Sequence, residues 1–198
     1  MNLRQRAEAQ AENADLHYLT LGWHRLNPWP DSVAGLTRLK TKYVISPLSN
    51  GNVALLTNMA KFAGMPWDLI MSAELFEHYK PDAETYLGAA KLLCLRPEQV
   101  MMVAAHNGDL KAAQKNGLKT AFVARPTEYG PHQKYDFEAT GDWDIVADRS
   151  ARFVARVLEA ILRGDFATNG KLPTEGVLAS QFGSFIQPLA IMARPANT

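Results

Sequence analysis

The stretch "VMMVAAHNGDLKAAQKNGLKTAFVAR", residues 100–125, decides the fold. An apolar, β-prone run stops abruptly at His106-Asn107-Gly108-Asp109, and a helical pattern over Asp109–Asn116 follows. A second apolar run, "LKTAFVAR" at residues 118–125, comes after it. Strand, helix and strand of these lengths make a right-handed βαβ unit, so the sheet it belongs to is parallel. Ligands of open parallel sheets bind at the carboxyl ends of the strands, which is where Asn107 and Asp109 fall. A lone carboxylate there does little chemistry, so the question is what Asp109 works with.

The same alternation extends to both sides. "KYVISPL" (42–48) reads as a strand ending in Ser49-Asn50-Gly51, followed by a helix from about Val53 to Phe62 that stops at Gly64. "WDLIMSA" (67–73) is a further short strand. Pro81-Asp82 opens the next helix, since proline suits a first turn and a carboxylate suits the positive end of the helix dipole. "WDIVAD" (143–148) reads as a fifth strand. Before the sheet, residues 3–26 carry Leu16, Leu19, Trp23 and Leu26 at helical spacing, and "NPWPDSVAGL" breaks that helix with a possible N-cap at Asp31 or Ser32. Beyond Ser150, "ARFVARVLEAILRG" is an amphipathic helix and "LPTEGVLASQFG" a short capped one, whereas "SFIQPLAIMARPANT" has no clean periodicity. The expected organisation is therefore residues 1–30, a core at 31–149, and a short helical appendage at 150–198.

Composition narrows the function classes. Of the 198 residues, 47% are hydrophobic and 21% charged, an ordinary globular balance. A formal net charge of +1 gives no argument for nucleic acid or an anionic membrane. No apolar stretch approaches the ~18 residues of a membrane span. The polar N-terminal stretch shows no signal peptide, so a cytoplasmic location is expected. The single cysteine, Cys94, lies in the apolar pattern "AAKLLCL" and reads as a buried, inert thiol.

Three polar features stand at strand ends or helix starts: Ser49-Asn50, Lys80, and Asn107 with Asp109. A hydroxyl, an amide, an ammonium and a carboxylate meeting at one rim could position an anion and orient a water. Each also has a plainer reading, as a turn, a helix start or a loop. The motifs "PLSNGN", "YKPDAETYLGAA" and "MMVAAHNGDLKAA", in that order, resemble the second, third and fourth motifs of the haloacid dehalogenase superfamily. The resemblance is nearest to the type II (S)-2-haloacid dehalogenases. It runs from "WHRLNPWPD" through "FVARPTEYGP" and "GDWDIVA", roughly residues 15–147.

This resemblance implies a Rossmannoid, three-layer α/β/α core. It also implies a reaction in which an aspartate on the first strand displaces halide from a 2-haloacid and water hydrolyses the ester. Ser49 and Asn50 would bind the substrate carboxylate and the departing halide, with Tyr86, Asn107 and His106 also at the substrate. Lys80 would pair with the nucleophile, and Asp109 would hold Lys80 and help orient the water. His106 could equally be a solvated or capping histidine. No metal or other cofactor is implied, the partner is a small-molecule 2-haloacid, and the family allows a homodimer. A magnesium-dependent phosphatase relative remains the alternative within enzymes, although the single acid of "HNGDL" argues against it.

The first motif, a hydrophobic strand ending in D-x-x-G-T, has no counterpart here, since neither Asp15 nor Asp31 follows a β-run. The chain is accordingly expected to lack the family's central first strand and most of its cap, with residues 1–30 a remnant of the cap's end, and to be inactive alone. The expected sheet carries two unpaired edges, one in the strand that ends at Ser49 and one in the strand before Asp109, unless those edges close on each other. Unpaired buried backbone groups cost ~1–3 kcal/mol each, against a total stability of ~5–15 kcal/mol. Residues 152–183 also resemble the start of a GntR-type winged helix-turn-helix, which leaves a regulatory fusion as a second alternative. The basic recognition helix of that family is missing, and this argues against DNA binding.

Overall fold

The computed structural model describes Tyr18, residues 20–148 and residues 189–193. Among the described residues, four α-helices and five strands build the core before the last strand enters. In order they are α1 (Ser32–Lys40), β1 (Val44–Ser49), α2 (Val53–Ala63), β2 (Met71–Ser72), α3 (Ala83–Leu92), β3 (Met101–Ala104), α4 (Asn107–Lys115), β4 (Lys119–Val123), β5 (Ile145–Ala147) and β6 (Leu189–Ala193). The α/β architecture is the one expected, and the strands of residues 42–48, 67–73, 98–105, 118–125 and 143–148 all form, most of them trimmed at the ends.

Local chemistry explains the element limits. Asn52 caps α2 by accepting a 2.8 Å bond from the Leu55 amide. Gly64, at φ 65°, ends that helix in the left-handed conformation that glycine adopts without a Cβ clash. Asp82 is the N-cap of α3, so Pro81 stands just before the helix rather than in its first turn. Helix α4 begins at Asn107, two residues earlier than the sequence pattern indicates, so Asp109 lies inside its first turn and not in a loop. On α3, Gly88 is required by space: a Cβ there would run into the Phe76 ring. Lys40 bridges to Asp68 Oδ1 at 2.7 Å, and Asp68 Oδ2 accepts the Ile45 amide at 2.8 Å, which anchors the head of β1.

The sheet order is β2-β1-β6-β3-β4-β5. The pairs β1–β2, β3–β4 and β4–β5 are parallel, whereas β6 is antiparallel to both β1 and β3. Ile45, Leu48, Met102, Val103 and Tyr86 have no solvent exposure and lie in one continuous apolar cluster with Phe122 and Leu110. The core is therefore centred on the strands that flank β6.

Two expectations are corrected here. The edges of β1 and β3 are neither left open nor closed on each other. Residues 189–193 fill the place between them, pairing Val44 through Leu48 on one side and Met101 through Val103 on the other. The driving force is the one that made an open slot expensive, because interior amides and carbonyls without partners are strongly disfavoured. "LAIMA" has no alternation because a strand in the middle of a sheet covered on both faces reads as a continuous apolar run. These residues are thus a strand of the sheet and not part of a helical appendage. Cys94 is the second correction. It is exposed, because α3 ends at Leu92 and Cys94 follows at φ 55°, past the face that packs on the core.

Of the helix expected over 3–26, Tyr18 and residues 20–22 are helical, and a 3-10 turn spans Trp23–Arg25. This turn lies against α2, with Asn58 Nδ2 2.8 Å from His24 Nδ1. The rest of that helix, Asp15, and the helices expected between 150 and 183 lie outside the described residues.

Candidate active site

The carboxyl ends of β1 and β3 bring the sequence-selected residues to one rim. Ser49, the last residue of β1, is 1% exposed, and its Oγ accepts the Gly51 amide at 3.1 Å. Across the β1–β2 ladder Ser49 registers with Ser72, whose hydroxyl donates to the Gly51 carbonyl at 2.6 Å. These two hydroxyls fix the turn that presents Asn50. The Asn50 side chain then grips the backbone of Lys80 from both directions. Its Oδ1 accepts the Lys80 amide at 2.7 Å, and its Nδ2 donates to the Lys80 carbonyl at 3.1 Å.

So held, Lys80 extends its ammonium into the protein and meets Asp109. Nζ donates to Oδ2 at 2.6 Å, with the two side chains only 8% and 12% exposed. Tyr86, fully buried on α3, donates its hydroxyl to the other carboxylate oxygen, Oδ1, at 2.5 Å. Both oxygens of Asp109 therefore have charge-assisted or hydroxyl donors. Burial pushes the Lys80 ammonium below the ordinary lysine value, while the neighbouring Asp109 pulls it back up. Burial and then Asp109 push the Tyr86 phenol well above its ordinary value, so Tyr86 acts as a neutral hydrogen-bond donor.

His106 and Asn107 sit at the same rim with different partners. His106 Nε2 lies 3.0 Å from Glu128 Oε2 and 3.0 Å from the Tyr129 hydroxyl, and the two rings stack at 5.7 Å. Asn107 is committed to the loop before β5. Its Nδ2 donates to Asp136 Oδ1 at 2.9 Å and to the Glu138 carbonyl at 3.0 Å. Its Oδ1 accepts from the Thr140 amide at 2.9 Å and from Trp143 Nε1 at 3.1 Å. The geometry thus joins Ser49, Asn50, Lys80, Tyr86 and Asp109 in one chain of contacts. Asn107 and His106 are tied instead to residues 128–143.

Glu128 and Tyr129 lie in the stretch "FVARPTEYGP", which singles out neither of them, and Asp136 lies in no quoted motif. Glu128 is 2% exposed, and the signal for it was its place in the loop after β4, at the end of the sheet where the other polar residues gather. An open cleft of about 430 Å³ adjoins the site at Asn50 and is lined further by Leu55, Glu74, His78 and Tyr79. Lys80, Tyr86 and Asp109 are not part of its lining. A buried ammonium held between an amide-clamped backbone and a doubly bonded carboxylate can stabilise negative charge developing beside it. Asp31 is not available at this place, because it pairs with Arg125, with NH2 3.2 Å from Oδ1.

The mostly parallel α/β sheet thus holds a buried lysine–aspartate pair at its strand ends. The chain belongs to the haloacid dehalogenase-like hydrolases, whose family model matches residues 13–123. Over 125 residues it is 31% identical to (S)-2-haloacid dehalogenase 1 of a Pseudomonas species (strain CBS-3), covering 60% of this chain and 55% of that one. The chain thus spans little more than half the length of this relative. The solved structure of a defluorinating L-2-haloacid dehalogenase is 52% identical with a TM-score of 0.72, covering 73% of this chain and 59% of that protein. A further L-2-haloacid dehalogenase structure is 49% identical, also at TM-score 0.72, with coverage of 79% and 70%. Among the described residues no helix is long and apolar enough to cross a membrane.

Proposed function

We propose that this chain carries the lysine–aspartate part of a site for hydrolytic dehalogenation of (S)-2-haloalkanoic acids. In this reading a carboxylate opposite Lys80 attacks C2, the carbon–halogen bond breaks with inversion, and the halide leaves with the bonding electrons. Water then adds to the ester carbonyl, the ester C–O bond breaks, and a 2-hydroxy acid and a proton are released while the carboxylate is regenerated. Lys80 offsets the negative charge of the attacking group and of the oxyanion formed during hydrolysis. Asp109, steadied by Tyr86, holds Lys80 in place and orients the water. Ser49 and Asn50 present the turn that receives the substrate carboxylate and the halide.

The observation that carries the reading is the single contact chain Asn50–Lys80–Asp109–Tyr86, with Lys80 Nζ 2.6 Å from Asp109 Oδ2 in near-complete burial. Among the described residues Asp109 is the carboxylate bonded to Lys80, and both its oxygens are engaged. It is therefore a poor nucleophile, and turnover requires a second carboxylate facing Lys80. The reading accordingly has the described residues inactive by themselves.

The test joins a family first-motif strand to this chain and follows chloride release from (S)-2-chloropropionate. Release that disappears with Lys80→Ala supports the proposal. A folded fusion that releases no chloride from either enantiomer overturns it.

A further inference from the structure

Helix α4 carries Asp109 in its first turn, yet its own N-cap residue does not cap it, since the His106 side chain makes no bond to the helix amides. The first amides of a helix need acceptors from elsewhere. Asp136 supplies one from 29 positions away. Its Oδ1 accepts the Asn107 backbone amide at 3.0 Å and the Asn107 side chain at 2.9 Å. A carboxylate at this place also suits the positive end of the helix dipole. Asp136 stands at φ 55°, a left-handed conformation that aspartate adopts more readily than most side chains. Its neighbours Tyr135 and Phe137 are 71% and 49% exposed, so ring burial does not hold this turn against the helix. Polar bonds hold it instead. The buried Gln133 braces the loop from inside, accepting the Tyr129 amide at 3.1 Å and donating to the Tyr135 carbonyl at 2.8 Å. Glu138, Thr140 and Trp143 close on the Asn107 side chain, and Glu128 reaches His106. The residues that open α4 are thus gripped by one stretch, 128–143, while the Asp109 carboxylate in the same turn is gripped by Lys80 and Tyr86. A short, charge-assisted contact keeps its geometry only when the groups that support it are fixed.

We propose that Asp136 is a positioning residue for the Lys80–Asp109 pair: as a remote cap it fixes the first turn of α4 and so sets Asp109 against Lys80. The inference rests on the proposed function for what the pair does, whereas the positioning itself is independent of turnover.

The test follows the full chain by NMR, through the nitrogen signal of the Lys80 ammonium and the exchange of the Asn107 amide with solvent. Asp136→Ala should raise Asn107 exchange roughly fivefold, as the loss of one helix cap does, and move the Lys80 signal toward those of exposed lysines. Asp136→Asn keeps an oxygen in place as acceptor and should return both readouts to those of the unaltered chain. Asn116→Ala loosens α4 at its other end by removing the bond to the Ala112 carbonyl, and should leave the Lys80 signal where it is. A role confined to helix stability would make the two alanine variants behave alike. Should Asp136→Ala not fold, Asp136→Glu, which keeps the charge and offsets the oxygen by one methylene, carries the same expectation. An Asn107 amide that opens while the Lys80 signal stays fixed makes Asp136 a cap and nothing more, and overturns the proposal. A failed chloride assay would leave these readouts standing, and their failure would leave the proposed chemistry standing.

Discussion

Lys80 and Asp109 face each other at 2.6 Å with side chains 8% and 12% exposed, although 29 positions separate them in the sequence. Their opposition is set by two helix starts. Asn50 fixes the backbone of Lys80 just ahead of α3, and Asp109 occupies the first turn of α4. Each charge is tolerable in that interior only because the other is present.

Removing one partner should therefore be severe. Asp109→Asn leaves a buried ammonium without its counter-charge, and a loss of roughly 3–5 kcal/mol is expected by denaturant unfolding at neutral pH. The loss should shrink as the pH rises. Burial already lowers the Lys80 pKa in the folded chain, so the unfolded chain binds more protons between that lowered value and 10.5. Stability contributed by this group thus grows with pH through that window, and the variant recovers by shedding the Lys80 proton. A deficit that is constant from pH 7 to pH 10 would contradict this account.

Tyr86→Phe keeps the ring volume and removes the 2.5 Å bond to Asp109 Oδ1. A loss of about 1.5–3 kcal/mol is expected, the range for hydrogen bonds to charged groups. In an Asp109→Asn background, where the amide oxygen still accepts but carries no charge, the effect should fall to about 0.5–1.5 kcal/mol, which a double-mutant cycle measures.

Asn50→Ala cuts both bonds to the Lys80 backbone, yet Asn50 itself is exposed, so the stability loss should stay near 1 kcal/mol. The local effect should be larger: the Lys80 amide loses its acceptor and exchanges with solvent faster. Amide exchange at Lys80 that matches the unaltered chain would sink the assigned clamp.

Gly88→Ala places a Cβ against the Phe76 ring, and about 1–3 kcal/mol of destabilisation is expected. Phe76 is partly buried and packs on the core cluster. Phe76→Leu should relieve the clash, so the double variant should be more stable than Gly88→Ala alone, as thermal unfolding would register.

Much of this architecture is legible in the sequence because buried parallel strands write themselves as apolar runs, and because the residues that end them are short polar ones. Ser49-Asn50 and Asn107-Gly108-Asp109 are such endings, and their order along the chain matches their order at the rim. What stays hidden depends on long-range pairing. The partners of Asn107 lie 29 to 36 positions away in an irregular loop, and no periodicity announces them. Strand β6 is five residues between prolines, too short and too uniform to signal its place or direction. Cys94 misleads in the opposite way, since an apolar pattern continues past the point where the helix has ended.

The central claim is that Lys80 and Asp109 serve a displacement through an ester on a second carboxylate. Intact-mass analysis of the chain fused to a first-motif strand and carrying Asp109→Asn, after incubation with (S)-2-chloropropionate, tests it most directly. The account predicts a stable adduct of the acid less hydrogen chloride, located on the supplied aspartate, because hydrolysis stalls without Asp109. Halide released at an undiminished rate with no adduct at any carboxylate would contradict it.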